Sequence, residues 1–355
     1  MNGRRIVNLS AKIAPAGLVG DLYQRLSERR ALRWRRLPEL ATGPPAGEPT
    51  TYYLCPDYPV PSGGIRAIYR HVDLLTAAGR QAAVLHHSDG FRCPWFESAT
   101  PVVGAPSVRL SSADTLVVPE IYGPFLDALP RVPRLVSFNQ NAYLTFEHVG
   151  AGAKPDYGIF AAAMAVSEDN AELLRFVYPD LDVRVVPNSI DPDLFAPAPA
   201  PPPRRLGLMP RKRPLEADLI LRLLDRRLGG WEVVRIEGAS EREVAETLRS
   251  LPIFLALGLR EGFGLPAAEA MASGCFVVGF AGYGGREIFD PGCSAPIEDG
   301  DVLAAARALA DAMDRYEADP EDLRQAGARA AARTSERYGP SHQREALLAF
   351  FDRLG

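Results

Sequence analysis

The apolar run Ile253 to Leu257 gives way to Gly262 and Gly264, then to Pro266 and an Ala-rich stretch ending at Gly274. Such a run predicts a buried strand, the glycines a tight turn, and the proline the first position of a helix. The same rhythm opens at Thr50: a strand, a Pro-rich loop with Gly63 and Gly64, an amphipathic helix stopped by Gly79, and a second strand, together one βαβ unit. Further strands are predicted at Thr115 to Val118, Arg134 to Phe138, Leu206 to Met209 and Cys275 to Phe280. Ser167 reads as the N-cap of a helix, and a last helix over Gln343 to Leu354 carries an apolar face that must be buried. Strands alternating with helices point to an α/β fold with parallel sheets.

A chain of 355 residues is long enough for two domains with separate cores, and the prolines from Pro197 to Pro203 form a stiff, extended linker between them. Ahead of Thr50 the pattern changes. Leu18, Leu22 and Leu26 recur at helical spacing, and Arg25, Arg29, Arg30, Arg33, Arg35 and Arg36 cluster around Trp34. The plain reading of this basic extension is a solvated arm; contact with an anionic membrane surface or a partner protein are the alternatives.

Composition narrows the class: 47% hydrophobic and 24% charged residues are ordinary for a globular protein, and a net charge of -4 makes no case for nucleic acid. Cys55, Cys93, Cys275 and Cys293 are far apart, which indicates neither a zinc site nor a disulfide framework. No apolar run approaches the roughly 20 residues of a membrane span, and the N-terminus lacks the apolar core of a signal peptide. A cytoplasmic protein is expected, with peripheral contact at the inner membrane face through the basic extension as the alternative.

The chemistry gathers at the turn after Ile253 to Leu257. A helix start offers free backbone N–H groups and the positive end of its dipole to an anion, and glycines let that anion come close. Gly262, Phe263, Gly264 and Leu265 are therefore expected to cradle a diphosphate. Glu261 and Glu269 bracket the turn with the spacing E-x7-E. Carboxylates beside a diphosphate would repel it, so they are expected to accept hydrogen bonds from the hydroxyls of a sugar nucleotide. Arg211 and Lys212, after the strand Leu206 to Met209, suit a cation site for charge that grows on a leaving diphosphate; a solvated basic loop is the plain alternative. Gly262, Gly264 and Ala267 also satisfy the dinucleotide fingerprint G-x-G-x-x-G/A. Against that stand the late position, the absence of an acid after Phe280, and the E-x7-E pair.

The stretches REGFGLPAAEAMASG, GYGGREI and VVPNSID resemble the retaining glycosyltransferases of family four, whose GT-B fold sets two Rossmann-like domains with parallel sheets across a cleft. The resemblance implies a basic extension over 1–49, an N-terminal acceptor domain over 50–194, a linker over 195–203 and a donor domain over 204–335. Residues 336–355 then form a helix packing back on the first domain. It implies that Glu269 holds the nucleotide ribose, that Glu261 lies near the transferred sugar, and that Lys212 faces the diphosphate. Leu208 occupies the family's usual Arg position, so Arg211 or Arg213 would stand in; Ser189 stands where Gly is usual. Gly63 and Gly64 would face the cleft, as would Gly284 and Gly285 in a second glycine turn. Position at the carboxyl ends of strands makes Glu120 and the run Asn139, Gln140, Asn141 candidates for hydrogen bonds to an acceptor; His148 reads as structural. The implied activity is metal-independent transfer of a hexose from a nucleotide diphospho-sugar to a glycan, lipid-linked or small-molecule acceptor, in bacterial cell-surface polysaccharide or glycoconjugate synthesis. A sugar-nucleotide epimerase or hydrolase, or a non-catalytic sugar-nucleotide-binding protein, are the alternatives.

Overall fold

The computed structural model describes residues 36–147, 149 and 153–354, and the architecture is that of the body from Leu37 onward. His148 and the basic cluster, apart from Arg36, lie outside the described residues.

Two all-parallel sheets organise this body. The first holds β2 (Thr51–Leu54), β3 (Ala82–His86), β4 (Val102–Gly104), β6 (Thr115–Pro119), β7 (Arg134–Asn139), β8 (Ala162–Ala165) and β9 (Val183–Val185) in the order β4-β3-β2-β6-β7-β8-β9. Between them run α1 (Gly63–Ala77) and α2 (Glu168–Val177), the latter capped by the Ser167 side chain as its sequence predicts. The second sheet holds β10 (Arg205–Leu208), β11 (Glu232–Arg235), β12 (Ile253–Glu261), β13 (Phe276–Tyr283) and β14 (Ser294–Ile297) in the order β11-β10-β12-β13-β14. Its helices are α3 (Pro214–Leu223), α4 (Glu241–Arg249), α5 (Leu265–Ala272), α6 (Val302–Ala318) and α7 (Pro320–Tyr338). Ile253 to Leu257 in β12 are all buried, as a central parallel strand covered on both faces requires.

Two parts of the chain differ from their sequence pattern. Ala41–Thr42 (β1) pairs with Arg109–Leu110 (β5), and Leu37 and Leu40 pack on the first sheet's core, so 37–49 belong to the first lobe rather than to an extension. β13 continues three residues past Phe280, because its pairing with β12 resumes at Glu261 and Tyr283 beyond a register shift. The last helix, α8 (Pro340–Asp352), buries Leu347, Phe350 and Phe351. It is tied to the first lobe by the Arg80–Asp352 ion pair and by Arg184, whose guanidinium donates to the Phe350 carbonyl.

Strand order reverses between β2 and β6 in one sheet and between β10 and β12 in the other. In open α/β sheets the crevice at such a point is where a ligand fits. The segments leaving it are the Pro-rich loop after β2 that leads into Gly63 and Gly64 at the start of α1, the Pro210–Lys212 turn after β10, and the glycine turn after β12.

Candidate active site

Lys212 Nζ lies 2.7 Å from Glu261 Oε2, joining the loops after β10 and β12 at the reversal point. Glu261 is set by a bend in its own strand: pairing shifts register between Gly258 and Glu261, and Arg260 adopts a φ of 45°. A non-glycine residue there is strained, and such strain is held where a surrounding structure over-determines it. The Lys212 side chain is 35% exposed, so the pair is worth only ~0.2–1 kcal/mol and the cation is readily exchanged to an anionic ligand. Arg211 is exposed beside it and makes no ion pair among the described residues. Arg213 has a different place. It is buried over the Phe280 ring, donates to the Gly258 carbonyl, and pairs with Glu216 and Asp299, so it braces the second sheet instead of facing the cleft.

The turn into α5 supplies the helix start. Gly264 sits at the N-cap with φ 94°, a conformation that favours glycine, and Pro266 occupies the first turn. Several neighbouring glycines also answer a second demand, close packing. A Cβ on Gly262 would fall within 3.0 Å of the Gln140 carbonyl, and one on Gly284 within 3.0 Å of the Gly262 carbonyl. Gly63 is similarly close to the Leu265 side chain, while Gly64 and Gly285 have 3.4 Å to their nearest neighbours. At Gly262 backbone therefore packs on backbone across the two lobes, and at Gly284 within the second lobe. The same seam is stitched by Ser167 Oγ donating to the Gly262 carbonyl at 2.5 Å and by Asn141 Nδ2 donating to the Arg260 carbonyl at 2.7 Å. The Phe263 side chain is buried against Tyr338 and anchors the turn. Tyr283, at φ 73°, brings its ring to 5.4 Å from that of Tyr143.

Glu269 lies in α5 behind this turn, partly buried. Burial pushes its carboxyl up to about 8, the Glu241 charge adds to the shift, and the Arg70 guanidinium opposes it. A raised carboxyl means the folded chain keeps a proton that the unfolded chain has released, so this group lowers stability as pH rises from about 4.5 to about 8. Across that window the apo protein's Tm should fall more steeply than that of Glu269→Gln, measured by scanning calorimetry. Parallel curves would show that Glu269 titrates like an exposed carboxylate.

The residues expected to meet an acceptor divide. Glu120 is buried and accepts from the Gln140 backbone N–H at 3.0 Å, and Asn139 is buried among Thr145, Tyr157 and Asn170, so both shape the loop from within. The Asn141 side chain does face the second lobe, at the Arg260 carbonyl, and the Gln140 backbone carbonyl lies against Gly262, while the Gln140 side chain turns back to donate to the Gly64 carbonyl of the first lobe at 3.0 Å. Residues that sequence reasoning passed over also reach this cleft: Arg66 and Arg70 of α1 lie 3.4 and 3.9 Å from Glu241 at the start of α4. Elsewhere, a cavity of 270 Å³ lined by Ile190, Phe195, Ala272, Ala331 and Thr334 lies behind α5; its walls carry no ionisable group and offer nothing to a diphosphate. Among the described residues no cluster of His, Cys, Asp or Glu is arranged to hold a metal ion, and no helix is long and apolar enough to cross a membrane.

Residues 220–333, which include β12, α5 and both glutamates, match the model of the family described as Glycosyl transferases group 1. The second lobe carries a group 1 glycosyltransferase domain. The chain is also 29% identical over 244 residues to an alpha-1,6-glucosyltransferase of Actinobacillus pleuropneumoniae, covering 62% of this chain and 70% of that one. Among solved structures it resembles the sucrose-phosphate synthase of Thermosynechococcus elongatus, with 15% identity, a TM-score of 0.64, and coverage of 86% of this chain and 99% of that one. Anabaena HepE in complex with UDP and glucose gives 16% identity and a TM-score of 0.65, over 86% of this chain and 100% of that one. At these identities the structural likeness speaks for the fold, and the fold is GT-B.

Proposed function

We propose that this group 1 glycosyltransferase moves a hexose, with retention and without a metal ion, from a nucleoside diphosphate sugar to a glycan, lipid-linked or small-molecule acceptor. The observation that carries this reading is the Lys212–Glu261 pair at the sheet's reversal point, beside the start of α5. As the anomeric carbon–oxygen bond to the diphosphate breaks, negative charge grows on the leaving group. Lys212, Arg211 and the amides of the turn meet that charge, stabilising the transition state more than the bound donor. Glu261, released from Lys212, accepts from hydroxyls of the transferred sugar, and Glu269 accepts from the ribose. The glucosyltransferase relative and the UDP complexes among the structural neighbours make UDP-glucose the first donor to test.

A thermal-shift screen with UDP-, GDP-, ADP- and dTDP-sugars tests the donor site, because a ligand that binds only the folded chain must raise its apparent stability. The configuration of the product linkage, read by NMR, tests retention. No shift with any nucleotide sugar would end this reading, and conversion of a donor without an acceptor would mark an epimerase or hydrolase instead.

Fixed cations and helix amides can carry the diphosphate charge, so turnover should be unchanged by EDTA. Activity lost on chelation and restored by manganese or magnesium would move that role to a metal ion.

A further inference from the structure

The polar face of α1 turns two arginines toward the second lobe, and their supports differ. Arg66 rests on the Phe96 ring, 4.7 Å from its centroid. Arg70 is held by a chain of side chains that begins two elements away. Its Nη1 donates to the Ser189 carbonyl at 2.6 Å and lies 3.4 Å from the Ser189 hydroxyl. That hydroxyl has one proton, given to Gln343 Oε1 at 2.7 Å, so toward Arg70 it can only accept. The Gln343 amide nitrogen then donates to His71 Nε2 at 3.3 Å. His71 must in turn carry its proton on Nδ1, which faces the Tyr53 hydroxyl at 3.2 Å. The assignment needs a neutral imidazole, and burial pushes the His71 pKa down to about 3.

Every link runs in one direction, from Arg70 through Ser189, Gln343 and His71 to Tyr53. Those last four side chains are at most 2% exposed, so each unmade bond would leave a buried polar group without a partner. The chain crosses α1, the segment leaving the first lobe, and α8, and its free end is a guanidinium 3.9 Å from Glu241, at the start of the helix α4 that packs on α5.

We propose that Arg70 is a positioning residue of the donor site: fixed by Ser189 and Gln343, it holds Glu241 across the cleft at the start of α4, the helix packed on the α5 that carries Glu269, so the segment leaving the first lobe and the last helix set how well the second lobe holds a nucleotide. This rests on the assignment of Glu269 to the ribose. Ser189 supplies the hydroxyl that the relay needs.

The test uses the full chain and whichever of UDP, GDP, ADP or dTDP gives the wild type its largest thermal shift, with Kd measured by calorimetry. Arg70→Gln should weaken binding about tenfold, as the loss of one charge-assisted interaction does, and Arg70→Lys should recover part of it. Ser189→Ala should weaken it about threefold, and the double variant Arg70→Gln/Ser189→Ala should be no worse than Arg70→Gln, since both act through one guanidinium. With a donor in hand, the same variants should raise donor KM more than they lower kcat. Glu269→Gln is the control. If Glu269→Gln loses affinity while Arg70→Gln and Ser189→Ala bind normally and only melt earlier, the chain is a brace and the proposal is overturned with the donor site intact. If none of the three changes affinity, the ribose assignment fails and the proposal with it. Should Arg70→Gln not fold, Arg70→Lys and Ser189→Ala decide by the same criteria.

Discussion

Lys212→Ala should lower kcat about a hundredfold, the ~3 kcal/mol typical of removing one fixed group that stabilises charge developing in a transition state. Its stability should hardly change, because the pair it forms with Glu261 is partly exposed and worth ~0.2–1 kcal/mol. Glu261→Ala should also act chiefly on kcat, through hydrogen bonds that tighten as the sugar separates from the diphosphate. Glu269→Ala, acting on a ribose that does not change during transfer, should mainly raise donor KM. Steady-state kinetics with the true donor, on protein shown to be folded, separates the three. Near-normal transfer by both glutamate variants would sink the site assignment. A large loss of stability in Lys212→Ala would show that the ion pair serves the fold.

The parts of this site written in consecutive residues are legible without a structure. Strand, glycine turn, Pro266 and the glutamate spacing lie within one short stretch, and each answers to local geometry. What the pattern could not supply was direction. Glu120 and Asn139 stand at strand ends where ligands gather, yet their side chains turn inward and satisfy the loop that carries Gln140. Arg213 sits in a basic turn and is nonetheless buried, because Asp299 from a distant loop neutralises it. Arg66 and Arg70 look like ordinary solvated arginines on the polar face of a helix; only the tertiary arrangement brings Glu241 to them from far along the chain. The one local signal available was Ser189 in place of glycine, and its meaning depends on Gln343 arriving from the last helix.

The glycine turn was legible in the sequence but the close packing that Gly262 permits was not, and Gly262 turns that packing into a test. Its missing Cβ leaves room for the carbonyl of Gln140 and the Cα of Asn141, both backbone and both fixed: Gln140 N–H is held by Glu120, and the Asn141 side chain holds the Arg260 carbonyl. An alanine there has no flexible neighbour to displace, so the lobes must part or one loop must move. Overpacking of this kind costs about 1–3 kcal/mol, too little to unfold two lobes with separate cores but enough to shift a closure equilibrium by one to two powers of ten. Gly262→Ala should therefore lose on the order of a hundredfold in kcat/KM while losing only a few degrees in Tm, and small-angle scattering should report a larger radius of gyration. Gly229→Ala is the matched control, since its Cβ would meet nothing within 4 Å. Gly262→Ala with wild-type turnover and unchanged scattering would mean that transfer does not require the two lobes to meet along this seam. If Gly262→Ala instead keeps the wild-type radius but loses activity, the damage is confined to the diphosphate turn, and the ligand-approach role expected of this glycine would account for it.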